Sequence, residues 1–337
     1  MGKGGAAVKL YEVRLVLKSP AIITRRRTER GYIRPPEYIP GSTLRGAVVT
    51  ALFRAGPLGE EDLSREASQP SILASAAFPL AGGHRTLPAT PFMARCKLCG
   101  HTQDLTESAA RALEGGHNPE FPGFCPRCLS RGLVSPLESM HGELVYLDGD
   151  EYKTFRPRTF RATSVGISKT RGSAVREMLF EYEAIAEGSE FWARLAVADG
   201  IELPGRLEVT LGRGSSRGFG WAELSLTQVQ ARPAPDRGVF IALSPLLPEK
   251  AWEWGGSRVE VERAFGRTFR VQLGWDIRKG APRPFATLVK PGAVALVSQS
   301  CEPAALRAGL PVALNGDIIT GLNALVPVDE YYRLLRG

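Results

Sequence analysis

The stretch YIPGSTLRGAVVTAL, residues 38–52, decides how the first half of the chain folds. Ser42 or Thr43 can accept hydrogen bonds from the free amides of a helix N-terminus. Apolar residues then recur at helical spacing, which places them on one stripe of a helix. The stripe consists of Leu44, Ala47, Val48, Ala51 and Leu52. We therefore predict a buried helix that begins at this motif.

A strand and a basic loop precede this helix. Residues 9–18 alternate between apolar and polar side chains, which is the period of a half-buried β-strand. Residues 24–37 have almost no apolar content and predict an exposed loop. The arginines of this basic loop are Arg25, Arg26, Arg27, Arg30 and Arg34. The chain is therefore predicted to begin with a strand, a basic loop and a buried helix.

Strand patterns return after residue 177 with few helices between them, which favours an antiparallel sheet and an α+β fold. The C-terminal third repeats this pattern weakly, and because no low-complexity linker precedes it, the two halves should pack closely. Residues 92–140 carry four cysteines and few long apolar patterns, so we interpret them as an insertion that depends on metal. The predicted units are an N-terminal half at 1–91 and 141–230, the insertion at 92–140, and a C-terminal half at 231–337.

The composition favours an anionic partner. The 337 residues are 43% hydrophobic, enough for two cores, and 43 Lys and Arg against 35 Asp and Glu give a formal charge of +8. Charge alone fits a solvated basic surface equally well. Residues 1–9 lack the apolar core of a signal peptide, and no apolar run approaches the roughly 18 residues of a membrane span, so we expect a cytoplasmic protein.

Four of the cysteines form two C-x-x-C pairs with 25 residues between the pairs. Two such pairs can close a tetrahedral shell of thiolates around one zinc ion, and the long spacing adds little loop-closure cost. A closed shell has no position for water, so the predicted zinc is structural. A redox pair and free thiols are the alternatives, and His101 or His117 can replace one cysteine. The predicted ligands are Cys96, Cys99, Cys125 and Cys128.

A glycine-rich segment, GRGSSRGFG, occupies residues 212–220. It is longer than the dinucleotide-binding motif, continues without a helix pattern and lacks the Lys-Ser/Thr of a P-loop, so no nucleotide cofactor is predicted. Its glycines allow a nucleic-acid backbone to approach, while Arg213 and Arg217 meet phosphates and Phe219 stacks or packs. The alternative is a tight turn that needs glycines for its geometry alone.

A second basic stretch is interleaved with Phe155 and Phe160. This combination suits single-stranded RNA, because guanidinium groups hold phosphates and aromatic rings stack on bases. A solvated charged face explains any one residue equally well, but together with the basic loop the pattern favours RNA. The basic residues are Lys153, Arg156, Arg158, Arg161, Lys169, Arg171 and Arg176.

The histidines give weak evidence against catalysis. None of the four stands beside a recognisable serine, cysteine or carboxylate motif, although sequence proximity is not required for a site. They are His84, His101, His117 and His141.

Several of these motifs resemble one known family. Residues 38–46 resemble the helix-start signature of RAMP proteins, the family that builds CRISPR effector complexes, and residues 212–220 resemble its C-terminal glycine-rich loop. Between them, VGISKTRGSA at 165–174 and MLFEYE at 178–183 look like a block found in large type III-D RAMP subunits, which tend to carry a cysteine-knuckle insertion. The resemblance spans residues 8–226. In the C-terminal half, residues 316–323 resemble a degenerate second glycine loop.

The resemblance implies two ferredoxin-like, RRM-like halves, binding to CRISPR RNA, and side-by-side assembly with other RAMP subunits. It also implies where catalysis would lie. Family members that cut target RNA have an aspartate in the loop before the helix signature, whereas residues 24–37 contain Glu29 and Glu37 but no aspartate. Family members that process RNA usually use a histidine base, and no histidine precedes His84.

We therefore expect a non-catalytic CRISPR RNA-binding backbone or capping subunit of a type III-D or type I-D effector complex, without a small-molecule substrate. The alternative is a RAMP endoribonuclease that processes precursor CRISPR RNA with His84 or His141 as general base. A zinc-ribbon protein of transcription or translation is a third possibility, but it gives the glycine loop no role. The predicted RNA-binding residues are Arg25, Arg26, Arg27, Arg30, Arg34, Arg45, Arg158, Lys169, Arg171, Arg213, Arg217 and Phe219.

Overall fold

The computed structural model describes residues 8–23, 26–27, 33–167, 170, 174–198, 200–248, 251–276 and 280–337. Arg25, Arg30, Lys169 and Arg171, which are predicted to bind RNA, lie outside the described residues. The helices are α1 Gly41–Ala55, α2 Glu60–Ser68, α3 Thr106–Glu114, α4 Pro126–Leu129, α5 Pro303–Ala308 and α6 Val328–Arg336, with one 3₁₀ turn at Ser215–Arg217. None of these helices has the length and apolar character needed to cross a bilayer.

The strands are numbered along the chain. The first group is β1 Val8–Leu17, β2 Arg26–Arg27, β3 Ile33–Arg34, β4 Ile72–Ala74, β5 Phe78–Ala81, β6 His84–Arg85 and β7 Leu87–Pro88. The second group is β8 Met93–Cys96, β9 Thr102–Asp104, β10 Leu137–Ser139, β11 Leu144–Asp148, β12 Glu151–Phe155, β13 Thr159–Ile167, β14 Ala174–Ile185, β15 Glu190–Ala198, β16 Arg206–Thr210 and β17 Trp221–Val229. The third group is β18 Arg237–Ala242, β19 Trp252–Trp254, β20 Ser257–Phe265, β21 Thr268–Gln272, β22 Trp275–Asp276, β23 Ala281–Pro282, β24 Phe285–Val289, β25 Val294–Ser300, β26 Val312–Leu314, β27 Asp317–Ile319 and β28 Leu325–Pro327.

The N-terminal sheet has the order β16-β17-β1-β15, with β4 and β5 both paired to the far edge of β15 and β6 beyond β5. Its pairings are antiparallel, as predicted. Helix α1 covers one face of this sheet, because Leu44, Val48 and Leu52 lie in one buried cluster with Val13 and Leu15. The predicted order of strand and helix is therefore correct, and so is the apolar stripe. Residues 24–37 are predicted to be an exposed loop, but Pro35 and Pro36 are buried, and residues 24–25 and 28–32 lie outside the described residues.

The predicted cap of α1 is wrong. The helix begins after Pro40, and no side chain caps it. Instead, the Pro40 carbonyl accepts hydrogen bonds from the amides of Thr43 and Leu44 at 2.9 and 3.1 Å. Gly41 is required for packing, since a Cβ atom there would lie 2.3 Å from the Ala74 carbonyl oxygen. The motif therefore starts the helix by letting its first turn press against the end of β4.

The C-terminal sheet has the order β19-β20-β25-β18-β28 and is antiparallel throughout. When β18, β20, β25 and β28 are counted along the chain, their spatial order is fourth, first, third, second. The N-terminal strands β1, β4, β15 and β17 have the same order. Both halves therefore arrange four strands alike.

The two halves differ in which helix connects these strands. A ferredoxin-like unit has two crossing helices. In the described residues, α1 and α2 both lie between the first and second strands of the N-terminal half, and no α-helix lies between its third and fourth. In the C-terminal half, α5 lies between the third and fourth strands, and no α-helix is described between the first and second. The mixed α/β fold is therefore as predicted, while the prediction of two ferredoxin-like halves is not confirmed.

The halves pack directly against each other through the second face of the N-terminal sheet. Leu10 and Ala196 from that face share a buried cluster with Phe240 and Leu306. The cysteine-bearing insertion also joins this arrangement, because Leu113 of α3 lies in a cluster with residues of the C-terminal half. Apolar contacts therefore hold the base of the insertion in place, whereas the sequence predicts that the insertion depends on a metal ion.

Candidate metal centre and nucleic-acid interface

The structure brings the four predicted cysteines together at one point. Cys96 ends β8, and Cys99 lies in the turn that follows; Cys125 immediately precedes α4, and Cys128 lies within it. Their sulfur atoms all lie within 4.8 Å of one another, and Cys96, Cys125 and Cys128 are buried. The Sγ atoms of Cys96 and Cys128 are 3.6 Å apart, and those of Cys99 and Cys125 are 3.8 Å apart.

Local turns make these sulfur atoms converge. Gly100 has a positive φ of 70°, and its amide donates to the Cys96 carbonyl at 3.1 Å, which folds the first pair into a knuckle. In the second pair, Pro126 starts the short helix, and the amide of Leu133 returns to the Cys128 carbonyl at 2.9 Å. Both turns place the two cysteines of a pair on the same side.

The cluster fits a zinc ion. Four thiolates at the usual Zn–S distance of about 2.3 Å around a tetrahedral ion lie about 3.8 Å from one another. The observed pair separations agree with this value. The backbone amide of Cys99 points at the sulfur of Cys96 and lowers the pKa of that thiol, whereas burial raises the pKa of the neighbouring Cys128 thiol. A bound metal ion would favour the thiolate at both positions. Among the described residues, no histidine joins the cluster, so His101 and His117 are not ligands in this geometry.

The glycine-rich loop lies against the segment that leads into the basic loop. The amide of Arg213 donates to the Ile22 carbonyl at 3.0 Å, and the amide of Gly220 donates to the Pro20 carbonyl at 2.9 Å. A Cβ atom on Gly212 would lie 2.2 Å from the Ile22 carbonyl oxygen. Gly220 is equally confined, since a Cβ atom there would lie 2.0 Å from the Leu211 carbonyl oxygen. These two glycines therefore serve the geometry of the turn.

The outer part of the loop is free to meet a ligand. Arg213 and Arg217 are exposed, and a Cβ atom on Gly218 would have no neighbour within 4 Å. The guanidinium carbon of Arg217 lies 4.9 Å from the ring centre of Tyr182 and 5.9 Å from that of Phe219. A cation between two aromatic rings forms a surface on which both a phosphate and a base can be held.

Tyr182 is the residue that sequence reasoning missed. Its alternation with Glu181 and Glu183 predicts a strand but gives no sign of what its ring contacts. In the structure Tyr182 is also the backbone partner of Ile33 in the β14–β3 pair. The end of the basic loop and the glycine-rich loop therefore meet at Tyr182.

The other predicted RNA-binding residues are placed differently. Arg26, Arg27 and Arg34 lie in the short β2–β3 pair beside β14. Arg158 is exposed beside the start of β13 and, with Arg14, lines a cavity of about 370 Å³.

Arg45 points into the fold, where it connects α1 to α2 and β4. Its guanidinium pairs with the buried carboxylate of Glu66 and donates to the Ile72 carbonyl at 2.7 Å and to the Glu66 carbonyl at 2.8 Å. Burial lowers the pKa of Arg45, and the nearby Glu66 carboxylate opposes this. The geometry therefore gives Arg45 a structural role, and the expectation that it contacts RNA finds no support.

The two histidines proposed as a general base lie in unlike surroundings. His141 is 3% exposed, and its Nδ1 atom accepts a hydrogen bond from the Arg267 amide at 2.9 Å. Burial lowers the pKa of His141 to about 4, with further contributions from Lys290 and Arg267. His84 is exposed and packs 5.8 Å from the ring of Tyr146. His141 is therefore neutral at pH 7 but enclosed by protein.

Comparison with known proteins gives a family match. The sequence model of the RAMP superfamily matches residues 14–223. No curated protein sequence matches the chain.

The similar solved structures are distant in sequence. A chain of the type III-B Cmr-beta complex bound to cognate target RNA is 12% identical, with a TM-score of 0.48 over 85% of this chain and 86% of that one. A chain of the Csm1-Csm4 cassette in complex with one ATP is 14% identical, with a TM-score of 0.36 over 95% and 98%. Oligomeric Cmr4 from Pyrococcus furiosus is 14% identical, with a TM-score of 0.28 over 66% and 100%.

Proposed function

Because this chain belongs to the RAMP superfamily, we propose that it is a non-catalytic backbone or capping subunit that binds CRISPR RNA in a CRISPR effector complex. The observation that carries the proposal is the meeting of the basic loop and the glycine-rich loop at Tyr182. The basic loop and the glycine-rich loop, which both contain arginines, would thereby border one surface that also has aromatic rings.

This surface is suited to hold RNA by its backbone. Arg213 and Arg217 are exposed on the glycine-rich loop, and arginine forms paired hydrogen bonds with phosphate oxygens. The Tyr182 and Phe219 rings offer faces on which a base can stack regardless of its identity. Phosphate contacts carry no sequence information, so the guide sequence would be read by base pairing with a target and not by this chain.

The four-cysteine cluster would hold one structural zinc ion. Four thiolates fill the tetrahedral shell, so the ion would fix the two knuckles and have no open position for a reacting water molecule. Cys96, Cys99, Cys125 and Cys128 are the ligands in this proposal.

The absence of catalysis rests on two features. Residues 24–37 contain no aspartate at the place where family members that cut target RNA have one. His141, one candidate for a general base, is enclosed by protein, and a general base must come within hydrogen-bond reach of the RNA hydroxyl. His84 is exposed and is therefore the candidate that the endoribonuclease alternative would use.

The insertion offers a surface for neighbouring subunits. Its large apolar side chains are exposed to an unusual degree, and exposed apolar clusters favour protein contacts. The two knuckles bring several of these side chains close to the cysteine cluster. They are Leu98, Phe121, Phe124, Leu129, Leu133 and Val134.

Titration with RNA tests the proposed function. The protein should bind unrelated single-stranded RNAs with similar affinity, and log Kd should rise steeply with log salt concentration because phosphate contacts release counterions. A flat salt response, or strong preference for one short sequence, would contradict a surface that follows the RNA backbone.

Incubation with labelled CRISPR RNA and complementary target, with and without magnesium, tests the absence of catalysis. We expect both RNAs to remain intact. Defined products that disappear in the His84→Ala or His141→Ala variant would instead establish the endoribonuclease alternative.

A further inference from the structure

A cavity of about 450 Å³ lies where the second face of the N-terminal sheet meets α6, and its lining is rich in arginine. The arginines are Arg85, Arg194, Arg232, Arg333 and Arg336. The side-chain carboxylates that line the same space are those of Glu12 and Glu330. The cavity is therefore far more basic than the chain as a whole.

The carboxylates nearby are already engaged. Glu12 pairs with Arg85, whose guanidinium lies 5.6 Å from the ring centre of Trp192. Asp329, one turn earlier in α6, pairs with Arg333 at 2.6 Å.

Glu330 is shared between two arginines. It pairs with Arg194 and also with Arg307, which lies behind the cavity wall at 2.7 Å. Burial raises the pKa of Glu330, but the two guanidinium groups outweigh it and hold this pKa below its usual range. One buried carboxylate thus neutralises only one of two buried cations.

Two cations of the lining are left without a carboxylate. Among the described residues, Arg232 and Arg336 form no ion pair, although Arg336 lies 6.0 Å from the ring centre of Tyr332. Both side chains are exposed, so water screens part of their repulsion, and a bound anion would screen it further. The lining therefore offers two unpaired cations to an anionic ligand.

Arg194 adds a buried cation to the lining. Its side chain is 9% exposed and borders the cavity. Its pairing with Glu330 is shared with Arg307, so part of its positive charge is left for an anion in the cavity.

The cavity also has an apolar wall. Leu10, Val229 and Leu334 line it beside the arginines. A volume of this size is in the range of small-molecule sites, and an apolar wall next to guanidinium groups suits a ligand with a flat ring at one end and a phosphate at the other.

We propose that this cavity binds the phosphate of a nucleotide, either a free mononucleotide or the terminal nucleotide of an RNA strand. The guanidinium groups of Arg194, Arg232 and Arg336 hold the phosphate oxygens, and the base lies against the apolar wall. The cavity is separate from the proposed RNA surface. Leu10 lies near the start of β1 and the glycine-rich loop packs beyond its end, which puts the two roughly 20 Å apart along the strand.

Calorimetric titration with AMP, adenosine and inorganic phosphate at low salt tests the proposal. AMP should bind at least tenfold more tightly than adenosine, because only AMP brings the anion. The Arg232→Ala/Arg336→Ala variant should lose at least tenfold in affinity for AMP. Both residues lie at the cavity rim outside any ion pair of the described chain, so the fold should be retained, as circular dichroism would check. Arg54→Ala, an exposed arginine of α1 far from the lining, is the matched control and should bind AMP normally.

Competition separates the two sources of the phosphate. Two RNA oligonucleotides of the same sequence, one with a terminal phosphate and one without, are tested as competitors of AMP. If only the phosphorylated oligonucleotide displaces AMP, the ligand is the end of an RNA strand. If neither displaces AMP, the ligand is a free nucleotide. Equal binding of AMP and adenosine, absence of AMP binding, or unchanged affinity in the double variant overturns the proposal. RNA without a terminal phosphate should bind through the glycine-rich loop and not through this cavity. Its binding therefore tests the proposed function separately from the proposed nucleotide site.

Discussion

The cysteine module and the glycine-rich loop both turn the chain sharply at glycines with positive φ, but different forces hold them. In the module, Gly100 and Gly132 have open space where a Cβ atom would be, and the turns are tied together by four convergent sulfur atoms. In the loop, Gly212 and Gly220 press on backbone carbonyls, and no side-chain cluster is needed. We therefore expect the module to depend on an ion, whereas the loop depends on the absence of side-chain atoms.

Removal of a cysteine ligand should have the largest effect. We expect purified wild-type protein to contain one zinc per chain and the Cys125→Ala variant to contain almost none, because three ligands leave the shell open. Structural zinc contributes about 10–16 kcal/mol of apparent binding free energy in small peptides, so the knuckles should unfold without it. Elemental analysis and limited proteolysis between α3 and β10 would measure both effects.

Cys301→Ala provides the matched control for this experiment. Cys301 is half-buried and lies outside the four-sulfur cluster, so its removal should leave the zinc content unchanged. Wild-type protein that has never met a chelator and yet contains no zinc would contradict the assignment. In that case the contrast between the cysteine module and the glycine-rich loop would not hold, because the module would need another source of stability.

The next largest effect is expected for Gly220→Ala. A Cβ atom there would lie 2.0 Å from the Leu211 carbonyl oxygen, and φ is +82°, so both overlap and strain oppose the substitution. We expect a loss of about 3 kcal/mol in the free energy of unfolding. Gly218→Ala is the matched control, since its φ is +83° but nothing lies within 4 Å of the added atom. It should cost only about 1 kcal/mol. Equal losses in urea unfolding would mean that backbone contact does not hold the loop.

The sequence predicts the parts of the molecule that depend on local periodicity or residue chemistry. The stripe at Leu44, Val48 and Leu52 specifies α1, and paired cysteines specify their own cluster. It does not predict contacts that arise only when distant segments meet. The fate of Arg45 depends on Glu66 from the next helix, and the role proposed for Tyr182 depends on a ring contact with Arg217. Single-residue patterns contain no information about such partners.

A pH-dependent effect is expected at the base of the module, where His141 meets the C-terminal half. Its pKa is lowered from 6.5 to about 4 by burial and by the Lys290 and Arg267 charges. The folded state therefore binds fewer protons than the unfolded state, so the stabilisation is complete above about pH 6.5 and is lost as the pH falls towards 4. At pH 5 the loss should be about 2 kcal/mol.

The His141→Gln variant isolates this contribution, because glutamine can still accept from the Arg267 amide but does not titrate. The free energy of unfolding of the wild type should fall more than that of the variant between pH 8 and pH 5. Parallel changes in both proteins would show that His141 does not link the module to the fold. The glycine-rich loop has no residue that titrates in this pH range. The difference in free energy of unfolding between the Gly220→Ala and Gly218→Ala variants should therefore be the same at pH 8 and pH 5.

The smallest effect is expected for single changes on the outer surface of the glycine-rich loop, where the chain would meet RNA. Arg217→Ala removes one phosphate contact and the cation between the Tyr182 and Phe219 rings, so affinity for single-stranded RNA should fall about threefold to tenfold. Arg217→Lys keeps the charge but loses the planar group, and it should recover only part of that affinity if stacking between the rings matters. The free energy of unfolding should change by less than about 0.5 kcal/mol in both variants, because Arg217 is exposed. Full recovery of RNA affinity in Arg217→Lys would mean that only the charge of Arg217 matters. Unchanged RNA affinity in Arg217→Ala would contradict the proposal that the glycine-rich loop binds RNA.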